Sequence, residues 1–344
     1  MFEGTFVNYA GSNTAATNIA IPEGLFSSID TSNLISLTDM TEMFHGTFLD
    51  FARNNIIATN AAIPEGLFES INTENLVNLE KMSLMFQHTF NSYAYSNTAA
   101  TDITIPEGLF NSVDTSNLTN LTQMNYMFSG TFYEYARSNT TTTDITIPEN
   151  LFDGINTANL TSLTIMNNLF DNTFGGYAHD NIIATSVGIP GGLFSGLDTS
   201  GLTSLTDMSS MFYNTFSGYA GNNTMATNIA TPEGLFSSIV IPSNVNGIGS
   251  MFSGTFTEYA MSLGGVSSID VNDIFIGASF NGKVTSSNVA SVFSYTFYHM
   301  SSLVGSAQTF IDNYFGVNLI PAQRAGTFYQ TNVSDLSSLH TNWK

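Results

Sequence analysis

The phrase Ile21-Pro22-Glu23-Gly24-Leu25-Phe26 returns at Ile63, Ile105, Ile147, Ile189 and Thr231, a step of 42 residues with no insertion. A fixed period of this length is the signature of stacked repeats. One unit cannot bury its apolar face alone, so the units must stack into a common core. The sequence therefore predicts an elongated α/β solenoid, leucine-rich-repeat-like, with one amphipathic helix and one or two short parallel strands per repeat.

Working outward from the phrase, the residues before it alternate. Asp102-Ile103-Thr104-Ile105 and Asp144-Ile145-Thr146-Ile147 read as short strands, as does Asn228–Thr231. The column Gly24, Gly66, Gly108, Asn150, Gly192, Gly234 reads as a left-handed turn residue. Next come Asp30, Asn72, Asp114, Asn156 and Asp198, suited to a side-chain-to-backbone turn. Leu34 and Leu37 predict a second short strand. Thr206-Asp207 then reads as a helix cap. Met208, Met211, Phe212, Phe216, Tyr219 and Ala220 follow at three- and four-residue steps, which predicts a helix ended by Gly221-Asn222-Asn223. Whether 42 residues form one coil or two stays open at this point.

Residues 1–239 hold the regular repeats. Residues 240–344 hold degenerate copies and a C-terminal cap, within one continuous solenoid. The Thr-Phe column runs through Phe6, Phe48, Phe90, Phe132, Phe174 and Phe216, then Phe256, Phe297 and Phe328. Ile274-Phe275 and Tyr314-Phe315 stand where Leu-Phe stood, and Trp343 closes the core. Met1-Phe2 is in register with Met43-Phe44, so Met1 reads as an ordinary repeat residue with a leader or further repeats upstream. Met1, Phe2, Phe6 and Tyr9 at one end, with Tyr314, Phe315, Phe328 and Trp343 at the other, are the expected head-to-tail assembly interface of a homo-polymer.

Composition bounds the function. The chain carries 27 Asp+Glu against 6 Lys+Arg, a net charge of -21. That balance excludes nucleic acid, whose phosphates need clustered Lys and Arg. It also disfavours anionic membrane surfaces. There is no cysteine, hence no disulfide and no thiolate chemistry. No apolar run is long enough to span a membrane. His45, His88, His179, His299 and His340 show no metal-ligand spacing. Asp270-Val271-Asn272-Asp273 lacks the rest of a calcium loop. No nucleophile elbow or phosphate loop occurs. No enzyme, cofactor or metal is expected.

Three polar columns need a role. Asn13, Asn55, Asn97, Asn139, Asn181 and Asn223 align, as do Thr17, Thr59, Thr101, Thr143, Thr185 and Thr227. The plain reading is an Asn ladder that pairs loop backbone, with Thr favouring strand entry. The sharper one is an outward Thr array that meets a repetitive surface such as ice or a polysaccharide. Glu23, Glu65, Glu107, Glu149 and Glu233 form either a solvated row or a cation-binding ridge. Sequons at Asn117, Asn120, Asn139, Asn159, Asn222 and Asn332 are frequent in so Asn- and Thr-rich a chain.

Asp198-Thr199-Ser200-Gly201-Leu202-Thr203 leading to Met208-Ser209-Ser210-Met211-Phe212 resembles the BspA-like leucine-rich-repeat family of bacterial surface proteins. Asp30-Thr31-Ser32-Asn33 and Asp114-Thr115-Ser116-Asn117 match the opening of the family pattern more fully. The resemblance covers about residues 1–236; the family's own repeat is shorter. It implies a secreted or wall-attached solenoid for adhesion or display, and no catalytic residues. The expected function is an extracellular filament or surface-scaffold subunit. The alternative is an adhesin binding a host ligand, glycan or ice.

Overall fold

The structure, a computed structural model, describes the chain except residues 12, 14, 231 and 263–267, and except the side chains of 228–230. Thr231, the start of the last copy of the phrase, therefore lies outside the described residues. Each 42-residue repeat forms one coil. Bonds between coils have offsets near 42: Phe44 N–H donates to Met85 O at 2.8 Å, Phe86 N–H to Met127 O at 2.9 Å and Phe128 N–H to Leu169 O at 3.0 Å.

The predicted helix is not one. Over residues 42–55 the backbone is a ribbon of consecutive turns with a period of four. The N–H groups of His45, Thr47, Leu49, Phe51 and Arg53 bond three residues back. Those of Phe44, Gly46, Phe48, Asp50, Ala52 and Asn54 bond 41 residues ahead, on the next coil. Every fourth residue is left-handed: Glu42 (φ 58), Gly46 (φ 58), Asp50 (φ 56), Asn54 (φ 60). A left-handed residue at that spacing interrupts an α-helix each turn and frees alternate donors for the neighbouring coil. Met43-Phe44, Thr47-Phe48 and Phe51-Ala52 face inward as buried pairs. Spacings of three and four satisfy both this ribbon and a helix, which is why the pattern reads as helical. Thr206-Asp207 likewise caps no helix; the Asp207 carboxylate accepts from Ser209 N–H in a local turn.

The first strand column holds. Parallel bridges join Asn18 to Asn60, Asn60 to Asp102 and Asp144 to Ser186. It widens into β1 (Ser186–Gly188) and β2 (Asn228–Ala230), parallel and in register. The expected second strand at Leu34 and Leu37 is a turn, with Leu37 N–H bonded to Leu34 O. The second bridge column falls just after it, at Asp39, Lys81, Gln123, Ile165, Asp207 and Gly247. Asp30 and its column close the expected turns, as in Ser32 N–H to Asp30 Oδ1 at 2.9 Å. Gly24, Gly66, Gly108 and Gly234 are left-handed as expected; Asn150 and Gly192 are not.

Aromatic columns fill the core. Phe44, Phe86, Phe128, Phe170 and Phe212 stack at ring-centroid distances of 5.5–5.8 Å. Phe68, Phe110 and Phe152 form a second stack, set edge-on to the first (Phe86–Phe110 4.7 Å, Phe110–Phe128 5.1 Å). Burying each ring contributes about 2–3 kcal/mol, and such pairs add about 1 kcal/mol. The Thr-Phe column forms a third stack that continues past residue 240: Phe216–Phe256 5.6 Å, Phe256–Phe297 5.8 Å, Phe297–Phe328 5.7 Å.

The only α-helices among the described residues lie in that C-terminal part: α1 (Val271–Ile274), α2 (Val289–Val292) and α3 (Ala307–Tyr314). A parallel pair, β3 (Ile269–Asp270) and β4 (Leu303–Val304), stands beside them. Asp270, the sequence's hint of calcium, caps α1 through Asn272 N–H. The α/β expectation is thus corrected for the regular repeats, which are turns and short bridges.

Candidate functional site

Two threonine columns go opposite ways. Thr47, Thr89, Thr131, Thr173, Thr215, Thr255, Thr296 and Thr327 precede the core phenylalanines and are wholly buried. The Thr131 hydroxyl reaches Phe86 O on the preceding coil and Phe128 O on its own, both at 2.8 Å. In the sequence only the phenylalanine of this Thr-Phe pair marks itself as core. The signal for the threonine is a polar residue recurring at a position whose neighbours are apolar. Thr17, Thr59, Thr101, Thr143, Thr185 and Thr227 are all exposed instead. Their backbones are linked coil to coil, as in Thr101 N–H to Thr59 O at 3.1 Å and Thr185 N–H to Thr143 O at 2.9 Å. The result is an outward row repeating once per coil, about 4.8 Å apart as neighbouring parallel strands are.

The asparagine column takes the plain role. Asn139 Nδ2 donates to Asn97 O (2.9 Å) and Ala100 O (2.7 Å) on the preceding coil. Its Oδ1 accepts from Thr141 N–H (3.0 Å) and Thr142 N–H (2.9 Å). Asn55 and Asn223 repeat this arrangement. The Asn139 sequon thus has its amide committed to the interior, whereas Asn117 and Asn159 are exposed.

On another face Glu23, Glu65, Glu107, Glu149 and Glu233 are exposed. The first four border grooves along the stack. One of about 690 Å³ is lined by Glu23, Gly24, Ser27, Glu65, Glu69 and Ser70. The next two run past Glu107 and Asn111, then Glu149 and Asp153. Among the described residues, no three His, Asp or Glu side chains converge as a metal site. Lys81 lies 3.9 Å from Asp39, and Arg137 pairs with Glu134 and, at 3.7 Å, with Asp180 on the next coil. His88 is mostly buried, and burial with the nearby His45 lowers its proton affinity.

The expected assembly residues occupy unlike ends. Met1 (86% exposed) and Tyr9 (68% exposed) are open to solvent. Phe2 and Phe6 are half-buried, stacked on Phe44 and Phe48 at 5.5 and 5.4 Å. At the other end Phe328 and Trp343 are buried and Tyr314 and Phe315 half-buried. The chain folds back there. Asn342 O and Trp343 O accept the Ala325 and Phe328 N–H groups (2.6 and 3.1 Å), and Trp343 Nε1 donates to Leu319 O. At this end the Ala325 and Phe328 donors are paired with residues 342–343, and Trp343 packs on Phe315 and Phe328 at ring-centroid distances of 6.3 and 6.0 Å. No helix among the described residues is long and apolar enough to cross a membrane.

No family model matches the chain, and neither does any curated protein. Among solved structures there are faint matches to two complexes. One is the Drosophila Toll–Spatzle complex: 14% identity over 82% of this chain and 36% of that chain, TM-score 0.12. Its glycosylated form gives 14% identity over 86% and 53%, TM-score 0.08. The TLR13–ssRNA13 complex gives 14% identity over 73% and 46%, TM-score 0.07. The chain thus spans 36–53% of the length of these proteins, and TM-scores this low carry no argument about its fold.

Proposed function

We propose that this chain is an extracellular, non-enzymatic surface scaffold, a leucine-rich-repeat-like solenoid that binds an ordered, repetitive ligand such as a polysaccharide or ice through its side. The observation that carries this reading is the exposed, coil-linked row Thr17, Thr59, Thr101, Thr143, Thr185 and Thr227. The resemblance to BspA-like surface proteins supports a cell-surface location. A row held by backbone bonds is preorganised, so little ordering entropy opposes binding.

Co-sedimentation with insoluble polysaccharides and partitioning into growing ice test the idea. Thr101→Lys/Thr143→Lys/Thr185→Lys should abolish retention with the thermal midpoint unchanged. Retention equal to that of the parent chain would rule out the threonine row. Head-to-tail polymerisation through the ends of the stack is the second reading, favoured by the exposed Met1 and Tyr9 side chains on the first coil. Negative-stain microscopy decides it: filaments at high protein concentration favour polymerisation, and single short rods remove it.

A further inference from the structure

Two histidines of the early coils meet across the stack. His45 stands on the ribbon of one coil and His88 on the next, with ring centroids 6.1 Å apart. His45 Nδ1 lies 3.7 Å from the exposed Glu3 carboxylate of the preceding coil. His88 is boxed in more closely. Its ring lies so tightly against Gly130 of the following coil that a Cβ there would come within 2.3 Å of Nδ1 and 2.6 Å of Cε1. Asn91 Nδ2 lies 3.0 Å from the same Nδ1. An amide NH2 only donates, so this contact needs a bare ring nitrogen. Charging the ring puts N–H on both nitrogens, which breaks the contact or turns the amide over.

His88 breaks a neutral column. The residues in register with it are Gly4, Gly46, Gly130, Asn172, Asn214 and Gly254, all left-handed and none titratable. Among the described residues His88 makes no salt bridge. The charged group that acts on it is His45, a second potential cation, and the Gly130 backbone offers only a partial offset. We propose that His45 and His88 form an acid-sensitive joint in the stack: uncharged, the two imidazoles pack the coils together, and charging them in mild acid loosens the ribbon of residues 84–94 from the coils on either side. The direction follows from the environment. An imidazole in the unfolded chain charges near pH 6.5, whereas burial first, and His45 second, hold the folded His88 below that. Stability from the joint is therefore complete above pH 6.5 and is lost as pH falls from there through the folded value.

Thermal midpoints of the parent chain, His88→Asn and His45→Gln, read from about pH 8 down to about pH 5, test this. Asn172 and Asn214 already fill the left-handed position of His88, and Gln87 fills the column of His45, so both variants suit the backbone. The gap between the parent and His88→Asn should be constant above pH 6.5 and should widen against the parent below it. His45→Gln should show a smaller acid loss than the parent. Differences between curves are read, because Asp171 titrates in this range in all three chains. The readout is the change with pH, so a variant of lower absolute stability still decides. In hydrogen exchange, corrected for its intrinsic pH dependence, opening at residues 84–94 should rise in acid by about tenfold for each pH unit by which the folded ring resists charging. His88→Asn should show no such rise. Parallel curves for the parent and His88→Asn, or an acid loss that His45→Gln leaves whole, overturn the proposal.

Discussion

The coils before residue 240 and the segment after residue 268 share one core but not one backbone. In four of the regular coils the stretch before the core phenylalanine, Pro22-Glu23-Gly24-Leu25 and its copies at Gly66, Gly108 and Gly234, makes a left-handed glycine turn. The equivalent stretch before Phe275 is Val271-Asn272-Asp273-Ile274, which has no glycine and forms α1, capped by Asp270. The start of the turn ribbon changes the same way. Ser250 is left-handed (φ 57), whereas its counterpart Ser291 lies in α2. The aromatic stack passes through both regions at nearly the same spacing. Core register is therefore the shared constraint, and local backbone adapts to whichever residues can be left-handed.

The two regions should break differently. The largest effect is expected at Asn139. Asn139→Leu removes both acceptors and donors of a fully buried amide and strands four backbone groups. Stability should fall by on the order of 4 kcal/mol or more in denaturant unfolding. A loss below about 1 kcal/mol would mean that the ladder does not tie coils together. In the C-terminal region, Trp343→Ala should cost about 3 kcal/mol. Hydrogen exchange should accelerate at residues 295–329 and stay slow around residue 130. Equal acceleration in both places would show that the stack unfolds as one unit, with no separate capped end.

Acid response sharpens the contrast. Burial raises the Asp171 carboxyl from 3.8 to about 6. The folded state then binds this proton more tightly than the unfolded chain. Its contribution to stability falls as pH rises from about 4 to 6, and the penalty is constant above that. Asp171→Asn should stabilise the protein by about 2 kcal/mol at pH 7–8, after discounting for partial exposure, and by nothing near pH 4. Asp335 behaves oppositely. Burial pushes its carboxyl up, but Gln308 N–H, the Ser306 hydroxyl and Ala307 N–H together hold it below its ordinary value. Its contribution is present above pH 3.8 and is lost only as pH drops through the lower folded value. A pH-independent gain in Asp171→Asn would remove the carboxylate from this account.

The smallest effect concerns the ribbon itself. Ser210 is left-handed (φ 54) and Gly218 occupies the same kind of position two periods on (φ 66). Ser210→Gly should stabilise by about 0.5–1 kcal/mol, and Gly218→Ala should cost about 1 kcal/mol. Thermal midpoints that move in the reverse directions would contradict the four-residue period.

Much of the ribbon was nonetheless written in the chain. Gly46, Asp50 and Asn54, then Asn168, Asn172, Gly176, then Asn214 and Gly218, place left-handed-tolerant residues four apart. Four steps of an α-helix overshoot a full turn by about 40°, so a strict four-residue inward pair cannot stay on one helical face. That drift is visible only over a run of about twelve residues, which is the length the ribbon has. The outward threonine row was legible as a column but not as a surface, since Thr47 and Thr59 differ in neither residue type nor period.

By itself the sequence determined the 42-residue period, the aromatic columns and the side-chain turns at Asp30 and its copies. These follow from residue identity at fixed spacing. Only the tertiary structure decided that the Met-Phe stretch is a turn ribbon, that one threonine column is buried and another exposed, and that the tyrosines stack as a buried column. The reason is physical: in this chain alternate backbone donors bond to a coil 41 residues away, so the conformation of each segment is settled by its neighbour in the stack and not by its neighbours in sequence.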